Sequence, residues 1–254
     1  MNLSIVMAGR NDGYCGDFLQ RTQSSIDRIF VRASKYNVKA ELVIVDWNPP
    51  PDRPSFAKAI KYIFKTIPVR VVTVPHSVHV AIKNSHKFNL FEYWAKNAGI
   101  RRSSGKFVLS MNPDVILSEN MVKRLSMNDF DENCFYRANR HDVLDCKVIR
   151  VCMQGDEPLH YNASGDFTMM ARDKWEELRG YPEVSFNKHV DSHLLLIAHN
   201  HGMKQVVFPD PIFHQEHDRS GVVCDGPDWK GKALPQNGDW GLLDHPEVTV
   251  YDLP

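Results

Sequence analysis

The chain has 254 residues, a formal net charge of zero at pH 7 and 43% hydrophobic residues. That length fits one large α/β domain or two small ones, with enough apolar content for a core. Zero net charge removes the electrostatic case for a nucleic-acid partner, and no stretch approaches the roughly 20 apolar residues of a membrane span.

In chain order, Leu3–Met7 predicts a short apolar strand, ended by Ala8-Gly9-Arg10-Asn11-Asp12-Gly13. Phe18, Leu19, Thr22, Ile26, Ile29, Phe30 and Ala33 then recur at helical spacing. Glu41–Val45 is a second buried strand, stopped by Asp46-Trp47-Asn48 and the prolines that follow. Phe56, Ala59, Ile60, Ile63, Phe64 and Ile67 predict an amphipathic helix. Val69–Val74 is the third strand, and 75–86 is a loop whose His76, His79 and His86 match no zinc motif. Phe88, Phe91, Ala95 and Ala98 share one face of another helix, with Arg101-Arg102 at its solvated end. Lys106–Met111 is the fourth strand. It leads through Asn112-Pro113-Asp114 to Ser118, placed to cap a helix at Glu119–Leu125.

Strands separated by helices give βαβ units and a mostly parallel sheet. Right-handed crossovers set the loops 8–13, 46–54, 75–86 and 112–117 along one sheet edge, where open α/β sheets bind ligands. The second half differs. Cys134–Asn139 and Val143–Val151 predict antiparallel strands, and Thr168–Ala171 a short one. Asp173, with Glu176 as its capping-box partner, predicts a helix stopped by Gly180. His189–His201 is a helix ended by Gly202, and Lys204–Phe208 a strand leading to Phe213-His214-Gln215-Glu216-His217-Asp218. Loops are expected from Ser220 onward, with Trp229 and Trp240 as sugar-stacking or anchoring aromatics. The five cysteines form no CxxC pair and read as core thiols of a reducing compartment. The opening MNLSIVMAGRND turns polar too soon for a signal peptide, so the expectation is a cytoplasmic protein, or one peripheral to a membrane.

A carboxylate at one strand end and a His/Asp/Glu cluster at a later one suit a divalent metal that holds a diphosphate. Asp114 would supply an oxygen and His214 or His217 a nitrogen, with Pro113 limiting the backbone beside the ligand. Asp191, in the first turn of its helix, suits proton removal from a hydroxyl, and the helix N-terminus favours its ionised form. Asp166 follows two small residues, where a backbone can approach a sugar closely.

The segments IVMAGRND (5–12), ELVIVDWNPP (41–50), KNAGIRRSSGKFVLSMNPDVIL (96–117), ASGDFTMMARDKWEELRGYPE (163–183) and FHQEHDR (213–219) carry a resemblance. In order and spacing they resemble a GT-A nucleotide-sugar glycosyltransferase of the small soluble, family-2-like type. The resemblance implies a single Rossmann-like α/β domain over 1–219. Its central sheet is mostly parallel, with helices on both faces and a mixed or antiparallel second half. Residues 1–117 would bind the nucleotide sugar, 118–219 the acceptor, and 220–254 would be an irregular tail packed on the domain. It also implies an enzyme, assisted by Mn2+ or Mg2+, that moves a sugar with inversion. The donor would be a UDP- or GDP-sugar and the acceptor a hydroxyl of a glycan or glycoconjugate.

Carried over residue by residue, Ala8, Gly9 and Arg10 close the first strand against the nucleotide. Asp46 holds the base or ribose, with Trp47 nearby. Asn112-Pro113-Asp114 stands in the place of the Asp-x-Asp motif and departs from it in the first acid, which leaves Asp114 as the ligand. Gly165 and Asp166 lie where donor sugar and acceptor meet, and Asp191 where inverting members place their general base. His214 or His217 completes the metal site. A sugar-nucleotidyltransferase would carry a glycine-rich basic loop where this chain has AGRNDGYCGD, and a dinucleotide oxidoreductase would need GxGxxG there. A non-catalytic nucleotide-sugar or glycan-binding module is disfavoured by the acids at 114, 166 and 191.

Overall fold

The structure, a computed structural model, describes residues 2–62, 66–155, 157–218, 223–227 and 234–253. Its first half alternates: β1 (Leu3–Gly9), α1 (Phe18–Lys35), β2 (Ala40–Trp47), α2 (Phe56–Ala59), β3 (Val69–Val74), α3 (His76–Ala81), α4 (Glu92–Ile100) and β4 (Phe107–Met111). Then come β5 (Val115–Leu117), α5 (Glu119–Met127), β6 (Cys134–Leu144), β7 (Lys147–Cys152), β8 (Phe167–Ala171) and α6 (Arg172–Leu178). The chain closes with α7 (Val190–Asn200), β9 (Lys204–Gln215) and β10 (Thr249–Leu253).

The strands form one sheet in the order β10-β3-β2-β1-β4-β8-β6-β9-β5, with β7 off this path on β6. β3, β2, β1 and β4 run parallel. In the second half β8 is antiparallel to β4 and β6, β9 is parallel to β6, and β5 is antiparallel to β9. The fold is therefore the expected one, a mostly parallel core with a mixed second half.

Strand alternation builds two cores from the same strands. Leu3, Ile5 and Met7 of β1 and Leu42 and Ile44 of β2 meet α1, α2 and α5. Val6, Ala8, Val43, Val45 and Trp47 meet α3, α4, α6 and α7. Gly99 of α4 lies against the second face, where an added Cβ would fall 2.6 Å from Val6 Cγ1 and 2.8 Å from Val45 Cγ2.

Several elements differ from their sequence patterns. The helix expected from Phe56 to Ile67 ends at Ala59, and Ile60 is extended. Gln23 of α1 explains the stop: its side chain accepts the Lys61 N–H and donates to the Lys61 carbonyl, both in the conformation that leaves the helix. Ile63 and Phe64 lie outside the described residues. The 75–86 loop contains α3, which buries His79 against the Trp47 indole N–H at 3.0 Å. β9 runs on past Phe208 through two prolines. It does so because its pairing with β6 slips there, Ala138 opposing Phe208 and Arg140 opposing Ile212, so the prolines sit in a bulge. Ser118 caps α5 as expected, accepting the Met121 N–H at 3.1 Å. Asp173 instead lies inside the first turn of α6, behind Ala171. Of the cysteines, Cys134 is buried while Cys146 and Cys224 are exposed, so they are not uniformly core thiols.

The C-terminal segment supplies β10 on the β3 edge rather than loops alone. Arg102, expected at a solvated helix end, donates to the carbonyls of Gly241 and Leu242 at 2.7 and 2.6 Å. Trp240 is buried with the Arg101 guanidinium 5.0 Å from its ring, so it anchors the segment; Trp229 lies outside the described residues. Glu183 Oε1 accepts the Gly241 N–H at 2.8 Å and the Asn97 amide at 2.9 Å.

Burial pushes the Glu183 carboxyl up to about 7 from its ordinary 4.5. A raised acid stabilises the native chain below its unfolded value, and that contribution is lost as pH rises through about 7. Glu183→Gln should therefore melt at a higher temperature than wild type at about pH 8 and at nearly the same temperature at about pH 5. Thermal unfolding at the two pH values checks it.

Candidate functional site

The site is assembled by register. β4 ends at Met111, and Asn112-Pro113-Asp114 turns the chain directly into β5. β5 sets Val115 opposite His214 of β9, and β9 sets His214 opposite Asp142 of β6. Val115, His214 and Asp142 thus form a row across neighbouring strands, with Asp114 one residue before its end, although Asp114, His214 and Asp142 are far apart in sequence.

Asp114 Oδ2 lies 3.8 Å from His214 Nε2 and 3.4 Å from His217 Nε2. Both histidines face the carboxylate, where the sequence left a choice between them. Arg21 of α1 adds its Nε at 3.7 Å. Burial works against the Asp114 charge, but His217, His214 and Arg21 together hold its carboxyl below the ordinary range. Asp114 in turn raises the His217 imidazole, against its burial. One carboxylate oxygen and two imidazole nitrogens lie within 4.8 Å of one another, a donor set able to close on one divalent cation.

Beside this cluster opens a cavity of about 320 Å³. Ala8, Arg10, Asp12 and Tyr14 line it from the end of β1, Phe88, Asn89 and Leu90 from the segment before α4, and Asn112, Pro113, Asp114 and His214 from the cluster. The Arg10 Nε–H is fixed by the Asn48 carbonyl at 2.6 Å, and its guanidinium pairs with Asp12 at 3.0 Å. The Tyr14 ring meets His217 edge-on at 5.7 Å.

Below the cavity lies a buried lysine. Lys96 of α4 donates to Glu92 Oε1 at 2.5 Å, Asn112 Oδ1 at 2.6 Å and the Gly165 carbonyl at 2.7 Å. Burial opposes its charge, yet Glu92 and its neighbours hold the ammonium above its ordinary value. Asn112 gives its amide N–H to Asp166 Oδ1 at 2.8 Å. A carboxylate at this position could not donate to Asp166, whereas the amide links a cation to an acid. Asp166 Oδ2 takes Arg140 of β6 at 2.8 Å, so each oxygen of Asp166 is engaged.

Asp191, the second residue of α7, accepts the Ser164 hydroxyl at 2.6 Å and the Gly165 N–H at 2.7 Å, both on Oδ2. A Cβ on Gly165 would lie 3.2 Å from Tyr93 Oη, 3.4 Å from Asp191 Oδ2 and 3.5 Å from Glu92 Oε1, so these groups crowd one point. Burial pushes the Glu92 carboxyl up, against the pull of Lys96 and with the push of Asp191 and Asp166.

Other expected residues lie elsewhere. Asp46 is fully buried, its two oxygens accepting the Phe56 and Ala57 N–H groups at 3.1 and 2.9 Å, so it holds α2 and does not line the cavity. Trp47 is likewise fully buried, on His79. Gly9 packs on Phe56, whose ring an added Cβ would meet at 2.8 Å. Arg219 of the FHQEHDR segment lies outside the described residues. Sequence reasoning missed Glu92, Lys96, Arg140 and Asp142. The i,i+4 spacing of Glu92 and Lys96 and the strand period of Arg140 and Asp142 were the available signals for shared faces.

No family model and no curated protein matches the sequence. Solved structures do. The mannosyltransferase PcManGT from Pyrobaculum calidifontis, in complex with GDP-Man and Mn2+, is matched at 13% identity and a TM-score of 0.58, over 86% of this chain and 58% of that one. S. aureus TarS 1-349 is matched at 12% identity and a TM-score of 0.56, over 85% and 60%. Its complex with UDP-GlcNAc is matched at 10% and 0.55, over 88% and 62%. The chain therefore shares the GT-A glycosyltransferase fold and spans about three fifths of the length of the structures it matches. Among the described residues no helix is long and apolar enough to cross a membrane.

Because Asp46 caps α2, Asp46→Ala should lower stability by about 1–2 kcal/mol, the worth of a lost cap. Nucleotide affinity of the folded protein should stay unchanged. Chemical denaturation and calorimetric titration with UDP and GDP check the two halves.

Proposed function

We propose that the chain is a glycosyltransferase moving a sugar from a nucleotide-diphosphate sugar to a hydroxyl of a glycan or glycoconjugate, with inversion and with a divalent metal. One observation carries the reading: Asp114, His214 and His217 converge at the cavity formed by the carboxyl ends of β1 and β4. The shared fold supports it, since PcManGT was solved with GDP-Man and Mn2+ and TarS with UDP-GlcNAc.

The donor set fits Mn2+ better than Mg2+, because Mg2+ keeps to oxygen ligands while imidazole suits first-row transition metals. Asp114, His214 and His217 would hold the ion, which when bound would neutralise the charge that gathers on a departing diphosphate. Ala8, Arg10 and the Phe88–Leu90 wall would receive the nucleotide. Asp166, with both oxygens engaged, would orient the donor sugar.

Asp191 would take the acceptor proton. Its two hydrogen bonds fall on Oδ2, which fixes the carboxylate and leaves Oδ1 for the incoming hydroxyl. Attack of that hydroxyl on the face of the sugar opposite the departing diphosphate, in a single in-line displacement, would invert the anomeric configuration.

Asp191→Asn preserves shape and removes the base. Turnover should fall by roughly 10² to 10⁴ while donor affinity holds. Steady-state kinetics and the anomeric configuration of the product test this. Normal turnover, or a product with retained configuration, would remove Asp191 from the role. Asp114→Ala should abolish Mn2+ uptake measured by calorimetry while the chain stays folded.

A further inference from the structure

β6 carries two polar residues that neither the nucleotide cavity nor the proton acceptor accounts for. Arg140 and Asp142 alternate along the strand and share one of its faces. Asp142 is fully buried; its Oδ1 lies 2.9 Å from Arg140 Nε and 3.4 Å from His214 Nδ1, while Arg150 of β7 binds its Oδ2. Arg140 turns its other side to Asp166 at 2.8 Å. Asp166 takes the Asn112 amide at 2.8 Å, and Asn112 is joined through Pro113 to Asp114. Asp114 faces the far nitrogen of His214 at 3.8 Å. The contacts close a ring of Asp114, His214, Asp142, Arg140, Asp166 and Asn112.

We propose that Arg140 and Asp142 are positioning residues that set His214 as a metal ligand and couple the metal site to the sugar-orienting Asp166. This rests on the metal site of the preceding section. An imidazole that ligates through Nε2 carries its proton on Nδ1, and the group facing Nδ1 fixes its tautomer and ring angle. Here that group is Asp142, which also pairs with Arg140 and Arg150. Arg140 Nε, Asp142 Oδ1 and His214 Nδ1 are buried, converge within these distances and lack an aligned hydrogen bond. A small rotation of the imidazole toward Asp142 satisfies donor and acceptor together. The guanidinium fork of Arg140 offers Nε to Asp142 and Nη1 to Asp166 from one side chain.

The test is calorimetric titration of the full chain with Mn2+ alone, with circular dichroism to confirm folding. Asp142→Asn should weaken Mn2+ binding by roughly 10- to 100-fold. Arg140→Lys should weaken it less, and should add nothing in a protein that already carries Asp142→Asn, because both act through the same imidazole. A pair that merely staples the β6–β7 hairpin would change the melting temperature and leave metal affinity alone. Wild-type affinity in folded Asp142→Asn, or additive effects in the double variant, overturns the proposal and leaves the metal site standing. A wild-type chain that takes up no Mn2+ overturns the metal site and this proposal with it. Should Asp142→Asn fail to fold, Arg140→Lys, which keeps the charge, decides alone: unchanged Mn2+ affinity there refutes the coupling.

Discussion

Asp114 is a carboxylate buried at the point where β4 ends, and a buried ion must be compensated or neutralised. Much of the second half of the chain is arranged to compensate it. Pro113 restricts the backbone before it, and β5 pairs at once with β9, bringing His214 alongside. His214 can arrive only if β9 continues past Pro209 and Pro211, and the slip against β6 is what lets it continue. His217 follows two residues beyond the strand end. Arg21 of α1, the helix packed on the same core as Val115 and Ile212, closes the cluster, with Nε and Nη2 buried and without hydrogen-bond partners. A cation seated among the donors would answer the same charge more directly than Arg21 does at 3.7 Å.

The same requirement repeats a few ångströms away. Glu92, Asp166 and Asp191 are brought near one another, and each has a positive or hydrogen-bonding counterpart: Lys96, Arg140, and the Ser164–Gly165 pair. Arg137 of β6 supplies the scaffold for that last pair. It is fully buried and donates to the carbonyls of His160 at 3.2 Å, Asn162 at 2.9 Å and Ser164 at 3.4 Å, gathering the loop that presents Gly165 to Asp191. Burial pushes its guanidinium down to about 10, while Asp191 and Asp166 hold it up. The site is thus a patch of alternating charge in which three β6 residues, Arg137, Arg140 and Asp142, do most of the placing.

How much of this was legible follows from the range of each interaction. β1 to β4 declare themselves by apolar runs and stop at turn residues, so their carboxyl ends, and with them Asp114, could be placed from sequence. The Ser118 cap and Asp191 at a helix start are local signals, and both lie where the local pattern put them. Asp46 misled because a strand-end carboxylate serves equally to cap a neighbouring helix turn, and only the position of Phe56 decides. The end of α2 depends on Gln23, thirty-odd residues away, and no periodicity records that contact. Lys96 lies beside Ala95 and Ala98 on a helix whose apolar face was evident, but its burial depends on Gly165 and Asn112 arriving from other elements. Arg140 and Asp142 matter only because β6 lands between β8 and β9, a fact of topology.

The account stands on the three donors at the end of β4. The most direct measurement is a crystal structure of the chain grown with Mn2+ and UDP or GDP, with anomalous scattering recorded for the metal. The account predicts one anomalous peak within roughly 2.0–2.3 Å of Asp114 Oδ2, His214 Nε2 and His217 Nε2, with the diphosphate against it. A peak ligated elsewhere, or a nucleotide seated in the cavity with no metal between the diphosphate and Asp114, would contradict it.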